Sequence, residues 1–369
     1  MTRWINCTLG DLVTFQRGYD LQKSKMNVGI YPVVGSNGII GYHNEYTTEC
    51  PSITVGRSGN VGKPFIYYGR SWSHNTSLYI KDFKGNDPIF IYYYLQTMNL
   101  ANYAGGSAVP TLNRNHIHTL KVFVPIDVSV QRKIAEILKS IDDKIYVNNK
   151  INENLEQQAQ AIFSNEFLTL ETLPDGWKQA SLIDIADYLN GLAMQKYRPT
   201  ADESGIPVLK IKELRQGCCD DNSKLCSPNI KSDYIIHDGD VIFSWSGSLL
   251  VDFWCGGICG LNQHLFKVTS NKYDKWFYYA WTKHHLDRFI AVAADKATTM
   301  GHIKRDELSK AEVFIPNEAD YNRIGAMLQP IYDLIIANRI ENQKLAETRD
   351  TLLPKLMSGE IDISEVDYE

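Results

Sequence analysis

Residues 131–162, QRKIAEILKSIDDKIYVNNKINENLEQQAQAI, and residues 321–352, YNRIGAMLQPIYDLIIANRIENQKLAETRDTL, are one helix written twice at an offset of 190 positions. They share Ile134/Ile324, Leu138/Leu328, Ile141/Ile331, Asp143/Asp333, Ile145/Ile335, Asn148/Asn338, Asn152/Asn342 and Leu155/Leu345. All but the aspartates fall on one stripe spaced four, three, four, three. That period of 3.5 keeps a single face turned toward a partner helix, as in a coiled-coil seam. A chain with two matched seams pairs them with each other. Amides at Asn148, Asn152 and their repeats weaken such a seam but fix its register and orientation. Pro330 stands where the first helix has Ser140, so the second helix is expected to kink there or to start in earnest there. Pro354 is expected to limit its far end.

The repeat reaches upstream of the helices. Trp4, Leu9, Asp11 and Gly18 recur as Trp177, Leu182, Asp184 and Gly191 at offset 173. Asn75 and Leu78 match Asn262 and Leu265 at 187, and Tyr92-Tyr93 match Tyr278-Tyr279 at 186. Arg114 and Val122–Pro125 match Arg305 and Val313–Pro316 at 191. The order is therefore domain, helix, domain, helix, with expected boundaries 1–128, 129–170, 171–317 and 318–369. The growing offset places an insertion in the second domain, around the Cys/Asp-rich 215–232. Short apolar runs bounded by turn residues predict strands at Ser52–Val55, Phe65–Tyr68, Leu78–Ile80, Val122–Val124, Val208–Ile211, Val241–Trp245, Leu265–Val268 and Val313–Ile315. Aromatic-rich stretches near 87–103 and 274–293 predict helices packed on those sheets. The expected fold class is α+β: two pseudo-repeated mixed α/β domains, each followed by a long helix, the helices pairing as an antiparallel coiled coil.

Length argues for more than one core, since the chain has 369 residues. The net charge of −5 at first disfavours a nucleic-acid partner. Its distribution matters more than its sum. Residues 1–128 carry +4, 129–176 carry −3, 177–317 are neutral and 318–369 carry −6. The acidity belongs to the helices and the tail, leaving the domains free to face phosphate. No apolar run reaches the roughly 18 residues of a membrane helix. The opening MTRWINCTLGDL lacks the apolar core of a signal peptide, so a cytoplasmic protein without membrane partners is expected. The seven cysteines form no C-x-x-C pair and read as reduced thiols, with no metal expected.

Catalytic chemistry is hard to find in this chain. Gly56 to Pro64 imitates a phosphate-binding loop, but Arg57 stands where the first glycine belongs and Pro64 where the magnesium-binding hydroxyl belongs. No nucleophile-elbow, zincin or dinucleotide motif appears. What recurs are loops mixing basic, amide, hydroxyl and aromatic side chains. In the first domain these are Arg57, Ser58, Asn60 and Lys63, then His74 and Asn75, then Thr111, Asn113 and Arg114. In the second they are Ser244, Trp245, Ser246 and Ser248, then Gln263 and His264, then Thr298, Thr299, His302, Lys304 and Arg305. Arginine and lysine suit guanine edges, asparagine and glutamine suit adenine, and hydroxyls suit phosphate. The same loop types at matched places in both repeats favour DNA recognition over ordinary turn chemistry.

Several strings carry a family resemblance. They are Ser58-Gly59-Asn60-Val61-Gly62-Lys63, Asn262-Gln263-His264-Leu265-Phe266-Lys267-Val268, Thr298-Thr299-Met300-Gly301-His302 and the terminal Leu352-Leu353-Pro354-Lys355-Leu356-Met357-Ser358-Gly359-Glu360. Together with the repeat, the chain resembles the specificity subunit of type I restriction-modification systems along its whole length. The resemblance implies two target-recognition domains, each reading half of a bipartite asymmetric site on double-stranded DNA, with the helix pair as the spacer ruler. It implies two methyltransferase subunits as partners, which carry S-adenosylmethionine and flip out adenine, and restriction subunits that cut. The chain itself would be non-catalytic and hold no cofactor. Two alternatives stay open: a specificity chain of a type IIB-like fused enzyme, and a non-DNA coiled-coil scaffold.

Overall fold

The computed structural model describes residues 3–106, 110–295, 303 and 305–363. Contacts divide the chain into two units, Met1–Asp143 with Ala346–Glu369, and Lys144–Leu345. The two long helices, Val128–Phe163 and Glu318–Ser358, are each divided between the units.

The first unit is built on an antiparallel sheet in the order Thr14–Arg17, Ser77–Asp82, Ser52–Gly56, Pro64–Tyr67. Ser52–Gly56 is buried at every position, as a central strand covered on both faces should be. The helix Pro88–Thr97 covers the sheet with Phe90, Ile91, Tyr93, Tyr94 and Leu95. Its start is set locally: Asp87 accepts from the Phe90 amide at 2.9 Å, and Pro88 supplies a helical φ. Ile134 and Leu138 of the central helix join this core. So do Leu353, Leu356 and Met357, which follow more than 200 residues later.

The second unit repeats the plan. Its sheet order is Asp187–Asn190, Leu265–Thr269, Val241–Ser244, Leu250–Phe253. The helix Lys275–His284 buries Trp276, Phe277 and Trp281 against it. Ile324, Leu328 and Ile335 enter from the C-terminal helix, and Ala159, Phe163 and Phe167 from the end of the central one. Each core is thus closed by the far end of the other domain's helix. The terminal motif gains a reason here. Gly359 ends the C-terminal helix at φ +76°, and a Cβ there would stand 2.8 Å from the Trp4 indole.

Matched residues perform matched tasks. Thr8 donates to Asp11 from backbone and hydroxyl at 2.8 and 2.6 Å, and Ser181 donates to Asp184 at the same two distances. Gly18 and Gly191 each lie where a Cβ would meet a carbonyl oxygen, that of His74 at 2.1 Å and that of Asn262 at 2.2 Å. Their amides donate to Ser77 O and Leu265 O, both at 3.0 Å. These bonds correct the register of the sequence alignment by one residue. Asn262 is the counterpart of His74, not Asn75, and Leu265 of Ser77, not Leu78.

The insertion builds sheet. The first unit has a small sheet in the order Gly38–His43, Tyr31–Gly35, Trp72–Ser73. The second has four strands in the order Leu225–Cys226, Ile206–Leu209, Cys259–Leu261, Ile235–Ile236. Parallel pairs place Leu209 beside Leu261 and Val34 beside Ser73, so the small sheets are equivalent.

In the second unit the helices run antiparallel. Asn338 Nδ2 donates to Asn152 Oδ1 at 2.9 Å, and Asn148 Nδ2 to Asn342 Oδ1 at 2.9 Å. Asn148, Asn152 and Asn338 are buried, so these amides occupy the seam itself and not its edge. Two of the outcomes expected of the prolines, a start at Pro330 and a stop at Pro354, are overturned, since the C-terminal helix spans Glu318–Ser358. Both prolines are exposed while Leu328, Ile335, Leu353 and Leu356 around them are buried. Packing of those neighbours outweighs one missing backbone bond at each ring.

The apolar stripe is also less evenly sealed than its spacing predicts, and Ile331 is the clearest correction. As the repeat of Ile141 it is expected inside the seam, yet it is only half-buried and packs at the margin of the second core. Its neighbour Tyr332 is buried in its place, with its ring 5.7 Å from Phe253 and 5.0 Å from Tyr279. The aromatic helix and sheet of the second unit therefore claim this turn of the C-terminal helix, turning Ile331 partly outward. Ile141, Ile145, Leu155 and Leu345 are half-buried as well. A straight helix of 3.6 residues per turn drifts about 20° per heptad from a 3.5 stripe, so such a stripe stays fully covered only in places.

Candidate nucleic-acid interface

Four of the residues singled out in the first domain converge. Arg57, Thr111, Asn113 and Arg114 line one open cleft of about 600 Å³, together with Gln16, Arg17 and His116. Arg57 leaves the end of the central strand, its amide bonded to Thr76 O at 2.8 Å and its carbonyl accepting from Leu112 N at 2.8 Å. Ser58 forms a β-bridge with Thr111, which lines the cleft. Asn113 caps the short helix Arg114–His118 by accepting from Asn115 N at 2.9 Å, so its side chain positions Arg114. Among the described residues, three guanidinium groups line this cleft and no carboxylate does. Burial first, and then the charge of Arg17, hold the Arg57 guanidinium below the usual arginine range. It remains a cation at neutral pH. Asp20 opposes that shift from outside the lining, so three guanidinium groups still face the cleft with no carboxylate among the residues that line it, and such a cleft suits an anion or acceptor-rich base edges.

Other first-domain candidates lie apart. Lys63 faces a second groove of about 380 Å³ with Tyr92, Gln96 and Asn99, its ammonium 5.5 Å from the Phe65 ring centre. Asn60 sits exposed on the turn between Gly59 and Gly62. His74 Nδ1 is 3.0 Å from Thr76 Oγ1, and Asn75 donates to Asp20, so both are engaged in shaping their own loop.

The second domain differs. Backbone bonds from Trp245 N to His264 O and from Ile303 N to Trp245 O repeat those of Arg57. Trp245 therefore holds the place of Arg57. Its indole donates to Asn190 Oδ1 at 2.9 Å, and Asn190 is the counterpart of Arg17. Its ring lies 5.7 Å from Phe266 and 6.1 Å from His264. Ser244 is fully buried and donates to the carbonyls of Ser246 and Ser248. The Ser246 hydroxyl is 3.1 Å from His264 Nδ1, and Gln263 Nε2 is 3.3 Å from His264 Nε2. Arg305 donates to Tyr188 O at 3.0 Å. These side chains chiefly hold one another. Thr298, Thr299, His302 and Lys304 lie outside the described residues.

Sequence reasoning missed Gln16, Arg17 and His116, and in the second unit Gln195, Arg198, Lys210 and Lys224, which line a groove of about 360 Å³ with Asn262. Arg17 stood next to the repeated Gly18, which was the available signal. Among the described residues no three His, Cys, Asp or Glu side chains gather as a metal site, and no helix is long and apolar enough to cross a membrane. All seven cysteines are free thiols. Cys219 and Cys259 lie 3.5 Å apart.

Comparison with known proteins identifies the family of the chain. A family model described as the type I restriction modification DNA specificity domain matches residues 1–157 and 174–347. The specificity subunit of the type I restriction enzyme MjaIX from Methanocaldococcus jannaschii is 26% identical over 306 residues, covering 75% of this chain and 70% of that protein. The HindI specificity subunit from Haemophilus influenzae is 20% identical over 328 residues, covering 68% and 71%. A crystal structure of the type I S subunit from M. genitalium has a TM-score of 0.64 with 96% of each chain covered, and at 14% identity that likeness speaks to fold.

Proposed function

The chain belongs to the family of type I restriction-modification DNA specificity subunits, and from that premise we propose that its two domains read separate halves of one bipartite, asymmetric duplex site. The chain is the non-catalytic, sequence-reading part of its enzyme. In this reading, residues 1–128 and 171–317 are the recognition domains, and 129–170 and 318–369 carry the ruler. The observation that carries it is the first-domain cleft, with Arg17, Arg57 and Arg114 unopposed by any lining carboxylate. Such arginines bond bidentately to guanine O6 and N7 and anchor phosphates.

The spacer follows from helix length. Helices of 36 and 41 residues are about 54 and 62 Å long at 1.5 Å per residue. Asn152 paired to Asn338 holds their register within the second unit, and in this reading the helix pair, each helix longer than one DNA turn of about 34 Å, sets the spacer. The acidic helix faces serve partner proteins. These are two methyltransferase subunits carrying S-adenosylmethionine, joined by restriction subunits, all in the cytoplasm.

The test is a methylome. A host expressing this chain with its methyltransferase subunits should carry N6-methyladenine at one bipartite asymmetric sequence. Arg57→Ala should degrade preference in one half only. No modified bipartite motif, or loss of preference in both halves, sinks the reading.

A further inference from the structure

The two domains have exchanged chemistry between two equivalent places. In the first, the cleft at Arg57 is open and cationic. In the second, Trp245 takes that position, its indole tied to Asn190 where the first domain has Arg17, and Arg305 is engaged by the Tyr188 carbonyl. At the small sheet the contrast runs the other way. Lys210 follows Leu209, the partner of Leu261, and its counterpart after Val34 is Gly35. Ile40 lies over Gly35, with a methyl 3.4 Å from where a Cβ would stand, and Ile39 and Ile40 are exposed. In the second domain this place is a groove of about 360 Å³ bearing Arg198, Lys210 and Lys224. None of these three cations forms an ion pair with a described carboxylate, whereas nearby Lys212 and Lys231 are paired with Asp220 and Asp233. Gln195 is exposed on the same groove and Asn262 lies in its wall.

We infer that the second domain contacts its half-site through this displaced groove. Arg198, Lys210 and Lys224 hold DNA phosphates, and Gln195 offers its amide to a base edge, adenine being the base whose N6 and N7 it matches. The Trp245 loop is a packed support and not the reader. The insertion that distinguishes this domain contributes Lys224 and so moves the contact surface from one sheet to its neighbour. This inference rests on the DNA reading above and adds to it where the second half-site is held.

The test uses the full chain assembled with its methyltransferase subunits and a duplex oligonucleotide bearing the site found by methylome mapping. Arg198→Gln, Lys210→Gln and Lys224→Gln should each lower the steepness of the salt dependence by about one, and weaken binding without changing base preference. Gln195→Ala should relax preference on the order of tenfold at one position of the second half-site and nowhere in the first. Unchanged unfolding midpoints show that each variant is folded. Folded variants that keep the wild-type salt slope and base preference overturn the groove. So does loss of second-half preference in Gln263→Ala with none in Gln195→Ala. A wild-type complex that shows no sequence-specific binding overturns the DNA reading itself, and the groove with it.

Discussion

Arg349 donates to Asp142 across 207 positions of sequence, with Nη1 at 2.7 Å from Oδ1, while Oδ2 accepts the Tyr93 hydroxyl at 2.6 Å. The pair ties the end of one long helix to the middle of the other and to the sheet-covering helix of the first unit. In the second unit the matched place is aromatic: Tyr332 stands for Asp142, and its ring centre is 5.0 Å from that of Tyr279, the repeat of Tyr93. Arg349→Ala removes the charge partner of Asp142 but leaves the Tyr93 bond. With both side chains about a quarter to a third exposed, the expected loss is about 1 kcal/mol in urea unfolding. Tyr93→Phe combined with Arg349→Ala should cost more than the sum of the two, because Asp142 then has neither partner.

The seam asparagines invite a paired test. Asn338→Ala leaves Asn152 Oδ1 without its donor in a buried setting, and should cost roughly 1–3 kcal/mol. Asn152→Leu with Asn338→Leu should recover that loss, since two apolar groups need no bond. The register signal disappears with the amides. Spin labels placed on the two helices should then report a broader distance distribution than in the native chain, although the double variant melts no lower.

Gly18 and Gly191 predict a symmetric outcome. A methyl at either position meets a backbone carbonyl at 2.1 or 2.2 Å, which no rotamer change relieves. Gly18→Ala and Gly191→Ala should each destabilise their own unit by about 1–3 kcal/mol or more. Hydrogen exchange read by mass spectrometry should show the faster-exchanging peptides confined to the unit that carries the change.

Stability should fall toward both ends of the pH scale. Burial pushes His285 down to about 4, against the opposing pull of its bond to the Glu312 carbonyl. The unfolded chain takes up that proton below about 6.5 and the folded chain does not. The contribution is therefore full above 6.5 and lost as pH falls to about 4. Burial raises Tyr92 and Tyr278 to about 12, so their contribution is full below pH 10 and lost as pH rises through 12. His285→Gln keeps a donor for Glu312 and should flatten the acid limb of a plot of unfolding midpoint against pH, leaving the alkaline limb unchanged.

Arg305→Ala should behave as a packing change. It loses a bond to Tyr188 O, and should lower the melting temperature while methylation keeps its second-half preference. Arg17→Ala should instead relax the first half-site by about 1–3 kcal/mol, seen as extra bases tolerated in the methylome.

Periodicity made much of this fold legible. The seam, the strands at Ser52–Gly56 and Leu265–Thr269, and the aromatic helices all follow from patterns that burial imposes. Where the pattern overreached, as at Ile331, a larger neighbour took the buried place. The proposed contact surfaces did not follow as readily, for two physical reasons. Short polar side chains such as Ser244, Ser246 and Asn75 satisfy their own turns, so a loop rich in them need not face a ligand. Arg198, Lys210 and Lys224 are scattered in sequence and converge because Ile206–Leu209 pairs parallel to Cys259–Leu261, a long-range contact that no local pattern records. A one-residue error in the repeat also hid the match of Arg57 with Trp245, the substitution that tells the two domains apart.

The closing of the first core by Leu353, Leu356 and Met357 sets a clock on synthesis. A ribosome adding 5–20 residues per second reaches Leu353 on the order of tens of seconds after Leu138. Throughout that interval the apolar face of the first unit that awaits these side chains stays wet. The second unit draws on Ala159 through Ile335 and is complete first, although it is made later. The amino-terminal half of the protein is thus the last to finish folding, and a chain that terminates early forfeits the first domain's stability before the second's.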